Sequence, residues 1–314
     1  MGRENDPGDT KLRQEKGLGS VHGSMREMQV IRDITEMSHL SRGFLADGLR
    51  LALVPTMGWL HEGHLSLCGR AKEISDRTVV SIFVNPEQFG PGEDYRSYPR
   101  DLKRDVALAE KAGVDVVFCP EVEAMYPEGY STYLEVTGLQ DALCGAFRPG
   151  HFRGVATICL KLFNIVRPHV VVFGEKDAQQ SIIIRKMIED LNLSVEMVTV
   201  PTAREPDGLA ISSRNEYLNE EERRQATVLY EALEHARELI QSGERDSRKI
   251  VSEMTRLIER KPLARIEYVQ VVDVKSLTAM DSLRGGVLIA VACWFGEGRL
   301  IDNLNLTIPG DERS

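Results

Sequence analysis

The stretch "RLALVPTMGWLHEGHLSL", residues 50–67, governs how the rest of the chain is read. An apolar run, Leu51 to Val54, meets a Pro-Thr-Met-Gly turn, and a helical pattern starts at about Glu62 and continues to Ser75. A strand passing through a glycine turn into a helix is half of a βαβ unit. The same alternation recurs downstream. "TVVSIFVNP" (78–86) leads through a polar loop into a helix from about Asp101 to Ala112, and "VDVVFCP" (114–120) follows. "HVVVFG" (169–174) precedes the helical "DAQQSIIIRKMIEDLN", and "SVEMVTVP" (194–201) closes the series. Near-continuous apolar strands separated by helices predict a parallel sheet covered on both faces. Such sheets bind ligands beyond the carboxyl ends of their strands. The candidate residues therefore follow the strands, in Pro55–His64, Asn85–Gln88 and Gly174–Asp177.

From about residue 203 the texture changes. "LNEEERRQATVLYEALEHARELIQSG" (218–243) reads as one long amphipathic helix, with a second from about Asp246 to Arg260. Three strand-like runs, "ARIEYVQVVD", "GGVLIAVACWF" and "GRLIDNLNL", complete a smaller α+β unit with antiparallel pairing. The expected division is 1–24, a disordered extension or tag; 25–203, the parallel-sheet domain; and 204–314, the smaller domain. Residues 1–24 are polar and lack the apolar stretch of a secretory signal.

Composition narrows the function. A net charge of −9 argues against a general nucleic-acid binder, which needs a basic face. No apolar run approaches the roughly 20 residues of a membrane span. Five cysteines, Cys68, Cys119, Cys144, Cys159 and Cys293, are scattered without C-x-x-C spacing, as buried free thiols in a reducing cytoplasmic setting would be.

His61 and His64 stand three apart, whereas a zincin places its histidines four apart on one helix face. No nearby Cys or carboxylate supplies an obvious third ligand, so zinc is disfavoured. The alternatives are a plain surface role, usual for isolated histidines at a helix start, and phosphate chemistry, which the preceding Thr-Met-Gly turn favours. A helix N-terminus behind a glycine turn offers free N–H groups and a positive dipole end. Imidazoles there can donate hydrogen bonds to oxygens that gain charge in a transition state. Asn85 and Gln88, after the second strand, offer neutral amides to a polar substrate, although Asn-Pro often only starts a loop. Gly90 to Gly92 suit a mobile flap. Lys176 at a strand end suits a phosphate, Asp177 is placed as a helix N-cap, and Gln180 lies one turn on. Ser212, Ser213 and Arg214 could hold triphosphate oxygens or merely cap a helix. Arg148, His151 and Arg153 form a basic cluster, either a solvated loop or the wall of an anion cleft.

Taken in order, "PTMGWLHEGHLSL", "FVNPEQF", "YPRDLKRD", "RPGHFRG", "FGEKDAQQ" and "DGLAISSRNEYL" resemble the pantoate–β-alanine ligase (pantothenate synthetase) family of the nucleotidylyltransferase superfamily. The likeness covers about residues 25–310. Trp59-Leu60 after the glycine, where Ala-Leu or Asn-Leu is more familiar, is a small departure.

The resemblance implies a Rossmann-like domain with a smaller α+β lid. It implies ATP-dependent ligation of (R)-pantoate and β-alanine through pantoyl adenylate, with ATP and Mg²⁺ required, in a cytoplasmic homodimer that engages neither nucleic acid nor membrane. His61, His64, Lys176 and Arg214 become the catalytic set, with His64 at the position usually assigned as proton donor. Met57, Gly58, Trp59, Leu60, His61, Glu62, Gly63 and His64 match segments that contact ATP. So do Gly174, Glu175, Lys176 and Asp177, then Ala203, and Ile211 with Ser212, Ser213 and Arg214. Gln88 and Gln180 match the pantoate-binding amides, with Asn85 in the same polar pocket and Gln88 also near β-alanine. Asp105 is the candidate carboxylate near Mg²⁺, with a surface helix position as the competing reading. Residues 203–206 are expected to act as a hinge that closes the lid. The alternatives are another HxGH-type adenylyltransferase and a non-catalytic nucleotide-binding regulator.

Overall fold

A computed structural model describes residues 27–309. The extension expected over residues 1–24 lies outside this range. Strand β1 (Gln29–Ile31) and helix α1 (Ile34–Ala46) precede β2 (Leu51–Thr56), α2 (Glu62–Ile74) and β3 (Arg77–Ile82). Then come α3 (Leu102–Lys111), β4 (Val116–Phe118), the short helices α4 (Val122–Met125) and α5 (Cys144–Phe147), and the long α6 (His151–Val166). β5 (Val170–Gly174), α7 (Ala178–Asp190) and β6 (Glu196–Val200) finish the first unit.

All six strands pair in parallel, in the order β1-β4-β3-β2-β5-β6. Leu51, Leu53, Val79 and Val171 face one buried layer, Ala52, Val54, Val80 and Val172 the other. Burial on both faces explains the unbroken apolar runs of the sequence.

The sheet opens at one place. β2 pairs with β3 as far as Thr56, and β5 with β6 as far as Gly174. β2 and β5 pair with each other only at Ala52–Val170 and Leu53–Val171. The two central strands therefore part before their carboxyl ends. The chain winds from β2 toward β3 and β4 on one side and from β5 to β6 on the other, which makes this a topological switch point.

The second unit holds α8 (Glu220–Ala226), α9 (Val228–Gln241), α10 (Ser247–Glu259) and the antiparallel sheet β7 (Ala264–Asp273), β8 (Gly285–Phe295), β9 (Gly298–Ile308). The single helix expected over 218–243 is two. Asn219 and Glu222 form a reciprocal capping box, and Thr227 interrupts the helix while its hydroxyl donates to the Arg224 carbonyl at 3.1 Å. Strand β8 is buried on both sides. Val287, Ile289, Val291 and Cys293 pack with α9 and α10, whereas Leu288, Ala290 and Ala292 join the core of the parallel-sheet unit. The small sheet thus lies against the larger unit and roofs the opening between β2 and β5. Among the described residues all five cysteines are buried and unbridged, and no helix is long and apolar enough to cross a membrane.

Candidate active site

The turn after β2 is built on strained backbone. Gly58 has φ +83° and Trp59 φ +50°, and a side-chain-bearing residue in the left-handed region costs of order 1–3 kcal/mol. Asp105 holds the turn. Its two carboxylate oxygens accept the N–H groups of Trp59 and Leu60, each at 2.7 Å, and Arg104 pairs with it at 3.2 Å. The Arg104 guanidinium also covers the Trp59 ring at 4.6 Å. A Cβ on Gly58 would meet Asp105 Oδ2 at 3.0 Å, so glycine suits both the dihedral and the approach. Asp105 is 1% exposed. Its expected place beside Mg²⁺ is corrected, because both oxygens are engaged by the backbone beneath the turn. Burial pushes its pKa up, against the pull of the two N–H groups and Arg104.

The turn delivers His61 to the N-cap of α2 and His64 to its first turn. Their ring centroids lie 4.0 Å apart. Burial, then Lys176, lowers the His61 pKa to about 4. Burial, then His61 and Lys176, holds His64 well below its ordinary value. Both shifts favour the neutral imidazole, and both Nδ1 atoms are buried without a hydrogen-bond partner in the protein.

Beyond β3, Asn85 and Gln88 frame a short 3₁₀ turn, Pro86–Gln88. Asn85 Nδ2 donates to Gln88 Oε1 and to the Gly154 carbonyl, both at 3.1 Å. Its Oδ1 accepts from Tyr126 Oη at 2.9 Å and from the Glu87 N–H at 3.3 Å. That is the full hydrogen-bonding capacity of an amide. The expectation that Asn85 itself holds substrate is therefore corrected: it braces Gln88, whose Nε2 faces Met57 Sδ at 3.1 Å. Helix α6 reaches this turn through Gly154, where a Cβ would sit 2.2 Å from the Glu87 carbonyl oxygen.

At the end of β5, a 3₁₀ turn (Glu175–Asp177) carries Lys176 into the opening. Asp177 occupies the N-cap position of α7 but makes no capping hydrogen bond, contrary to expectation. The neighbouring glutamines divide. Gln180 lines the opening, whereas Gln179 turns back, accepting from the Cys144 N–H and donating to the Leu139 and Ala142 carbonyls.

From the second unit, Ser212 caps the 3₁₀ turn that presents Arg214, and Ser213 Oγ lies 3.1 Å from Tyr98 Oη. Arg214 is held in bidentate fashion by Asp94, both contacts at 3.0 Å. The preceding Glu93 grips Arg148 in the same way. Arg148 also approaches His151 Nε2 at 3.2 Å, while His151 Nδ1 donates to the Gln88 carbonyl at 2.7 Å. Arg153 leaves the expected basic cluster, its guanidinium lying over Tyr133 at 4.8 Å.

Of the residues expected against ATP, Met57, His61, Gly63, His64, Gly174, Lys176, Asp177, Ala203, Ile211, Ser212, Ser213 and Arg214 line one cavity. Gln88 and Gln180 line it as well. Gly58, Trp59, Leu60, Glu62 and Glu175 do not: Gly58 and Leu60 are buried beneath the turn and Glu62 faces solvent. Sequence reasoning missed Glu93 and Asp94, which hold the two arginines, and Tyr98, Tyr268, Arg299 and Asn303, which line the same cavity. The acidic pair in the 90–95 loop was the one signal available, since two carboxylates beside expected anion-binding arginines demand a counterpart.

Comparison with known proteins agrees along residues 29–305. The family described as pantoate-beta-alanine ligase matches residues 29–305. The pantothenate synthetase of Heliobacterium modesticaldum is 56% identical over 277 residues, 88% of this chain and 99% of its own. That of Thermosipho africanus is 54% identical over the same spans. The crystal structure of pantothenate synthetase from Thermus thermophilus superposes with a TM-score of 0.83 at 45% identity, covering 88% of this chain and 99% of that one. The Francisella tularensis pantoate-beta-alanine ligase, described as complexed with beta-gamma ATP and beta-alanine, gives 0.72 at 33% identity, covering 88% and 97%.

Proposed function

The chain belongs to the pantoate–β-alanine ligase family, and from that premise we propose how its own residues divide the work of the reaction. The enzyme joins pantoate to β-alanine with ATP, through pantoyl adenylate, releasing pyrophosphate and AMP. In the first step a pantoate carboxylate oxygen bonds to the α-phosphorus and the bond to the β-phosphate oxygen breaks. In the second the β-alanine amine bonds to the acyl carbon, AMP departs with the C–O electron pair, and the amine proton passes to solvent.

One observation carries the assignment of roles. The split between β2 and β5 sets His61 and His64 on one lip and Lys176 on the other, with Gln88 and Gln180 in the same cavity. Neutral amides suit pantoate hydroxyls, and the cation suits the phosphates. Phosphoryl transfer needs positioning and electrostatic stabilisation rather than a protein nucleophile. The half-buried, neutral histidines serve as N–H donors to phosphoryl oxygens as these gain charge. Burial, His61 and Lys176 all lower the His64 pKa, which favours this neutral-donor role over transfer of a proton from a charged imidazolium. Arg214 meets the triphosphate after giving up Asp94.

Mg²⁺ enters on this reading as part of the nucleotide substrate. Among the described residues no group of three or more His, Cys, Asp or Glu side chains could hold a metal, and Asp105 is engaged by backbone. The protein is further proposed to act as a cytoplasmic homodimer in which the unit from residue 204 onward closes over the cleft about residues 203–206.

The test is AMP formation with pantoate and β-alanine omitted in turn, together with pantoate-dependent pyrophosphate exchange. Exchange without pantoate would favour another adenylyltransferase, and no AMP with all substrates present would favour a regulator. Replacing His64 or Lys176 by Ala is expected to slow exchange about 100-fold, the usual effect of losing one transition-state donor. Rates within tenfold of the parent would remove that residue from its role.

A further inference from the structure

Lys176 is presented by a turn that the other unit of the protein holds. Asn303, on β9, directs its single Nδ2 group at two carbonyls, Glu175 O at 2.9 Å and Lys176 O at 2.7 Å. These oxygens belong to the two peptide planes that meet at the Lys176 Cα. Fixing both planes fixes φ and ψ of Lys176, because the planes are rigid and only those two dihedrals join them. The direction in which the side chain leaves the backbone is then set as well. Both partners are acceptors only, so the amide has one satisfactory orientation.

The neighbouring residue anchors this contact. Asp302, 3% exposed, pairs in bidentate fashion with Arg204 at 2.6 and 3.0 Å and accepts the Asn303 N–H at 2.8 Å. Arg204 lies in the segment that joins the two units and also donates to the Gly208 carbonyl at 3.0 Å. A continuous chain of contacts thus runs from the connecting segment through Asp302 and Asn303 to the turn bearing Lys176. The 3₁₀ turn makes little provision for itself, since its N-cap is Gly174, which has no side chain to supply a capping bond.

We propose that Asn303 is a positioning residue for the first half-reaction, through which the smaller unit aims Lys176 at the phosphates of ATP. The proposal rests on the assigned role of Lys176. A residue that holds the backbone of a transition-state donor affects the rate of the chemical step more than the binding of substrate. Asn303 needs to touch no ligand to do this.

The test uses the full chain and pantoate-dependent pyrophosphate exchange. Asn303→Ala is expected to lower kcat at least tenfold while KM for ATP changes less than threefold. Asn303→Ser, which keeps one donor on a shorter arm, is expected to fall between the parent and Asn303→Ala. In a Lys176→Ala background the Asn303→Ala change should cost less than twofold, since the aimed group is gone. An equal loss in both backgrounds would overturn the proposal and leave Asn303 a purely structural contact. A crystal structure of Asn303→Ala with the Lys176 ammonium undisplaced would do so as well, and that measurement stands even where the double variant is too slow to assay. Failure of the underlying role for Lys176 would show separately, as a Lys176→Ala single variant that keeps its activity.

Discussion

Replacing Asp105 separates a structural carboxylate from a metal ligand. Its oxygens accept the N–H groups of Trp59 and Leu60 at 2.7 Å each and are 1% exposed with the rest of the residue. Asp105→Asn keeps the shape but offers one acceptor, so one buried backbone N–H then faces an amide N–H. An orphaned buried donor costs about 1–3 kcal/mol. The burial that raises the carboxyl pKa also means that removing the charge returns part of that cost. The net expectation is about 2 kcal/mol for Asn and about 4 kcal/mol for Ala, which orphans both donors. In a chain of 314 residues each kcal/mol lowers Tm by about 1.5 °C. Asp105→Asn should therefore melt roughly 3 °C below the parent, and Asp105→Ala roughly 6 °C below it. The assay is thermal unfolding without nucleotide or metal, followed by exchange rates across a Mg²⁺ titration. Slower exchange is expected, because the turn carries His61, but the Mg²⁺ concentration for half-maximal rate should not move. Unchanged Tm in both variants, with a Mg²⁺ requirement raised tenfold or more, would refute the reasoning and restore Asp105 as a metal ligand.

Other outcomes follow from neighbouring contacts. Gln88→Leu should raise KM for pantoate at least tenfold while leaving ATP affinity, measured by calorimetry, within threefold; equal losses would mean the pocket is misplaced. Asp94→Asn removes the carboxylate that holds Arg214 at 3.0 Å, so ATP should bind several-fold tighter, and weaker binding would show that Asp94 supports the arginine rather than competing for it. The pH dependence of stability has a definite sign at His61. Its folded pKa of about 4 lies below the ordinary 6.5, so the folded state favours the neutral ring. The contribution is complete above pH 6.5 and is lost as pH falls toward 4, and denaturant midpoints across that range measure it. Exchange rates should show no histidine ionisation between pH 6 and 8, and an inflection there that disappears in His64→Ala would contradict a neutral donor.

Periodicity alone fixed much of this protein. Runs such as Leu51–Val54 and Val170–Phe173, unbroken because both sheet faces are buried, gave the parallel sheet, and helix starts at Glu62 and Leu102 fall within a residue of their expected places. The loops after β2, β3 and β5 were identifiable as the site because parallel strands place all their carboxyl ends on one side. Strand β1, three residues long, carries too little pattern to be read. Side-chain assignments were the weaker part. Asp105 and Asn85 have the right chemistry for a metal and a substrate, but a sequence does not show what already occupies their hydrogen-bonding groups. Folding brings the Trp59 and Leu60 amides to Asp105, and Gly154, Tyr126 and Gln88 to Asn85.

The sequence by itself determined the fold class, the family and the segments that meet at the cleft, because these depend on local pattern and on residues close together in the chain. Tertiary structure alone decided which of those residues face the cavity and which hold others in place. Asn303 lies 127 residues from Lys176, and Asp94 lies 120 from Arg214. Contacts at such separation leave no period or spacing in the chain, and only the packing of the small sheet over the opening brings them together.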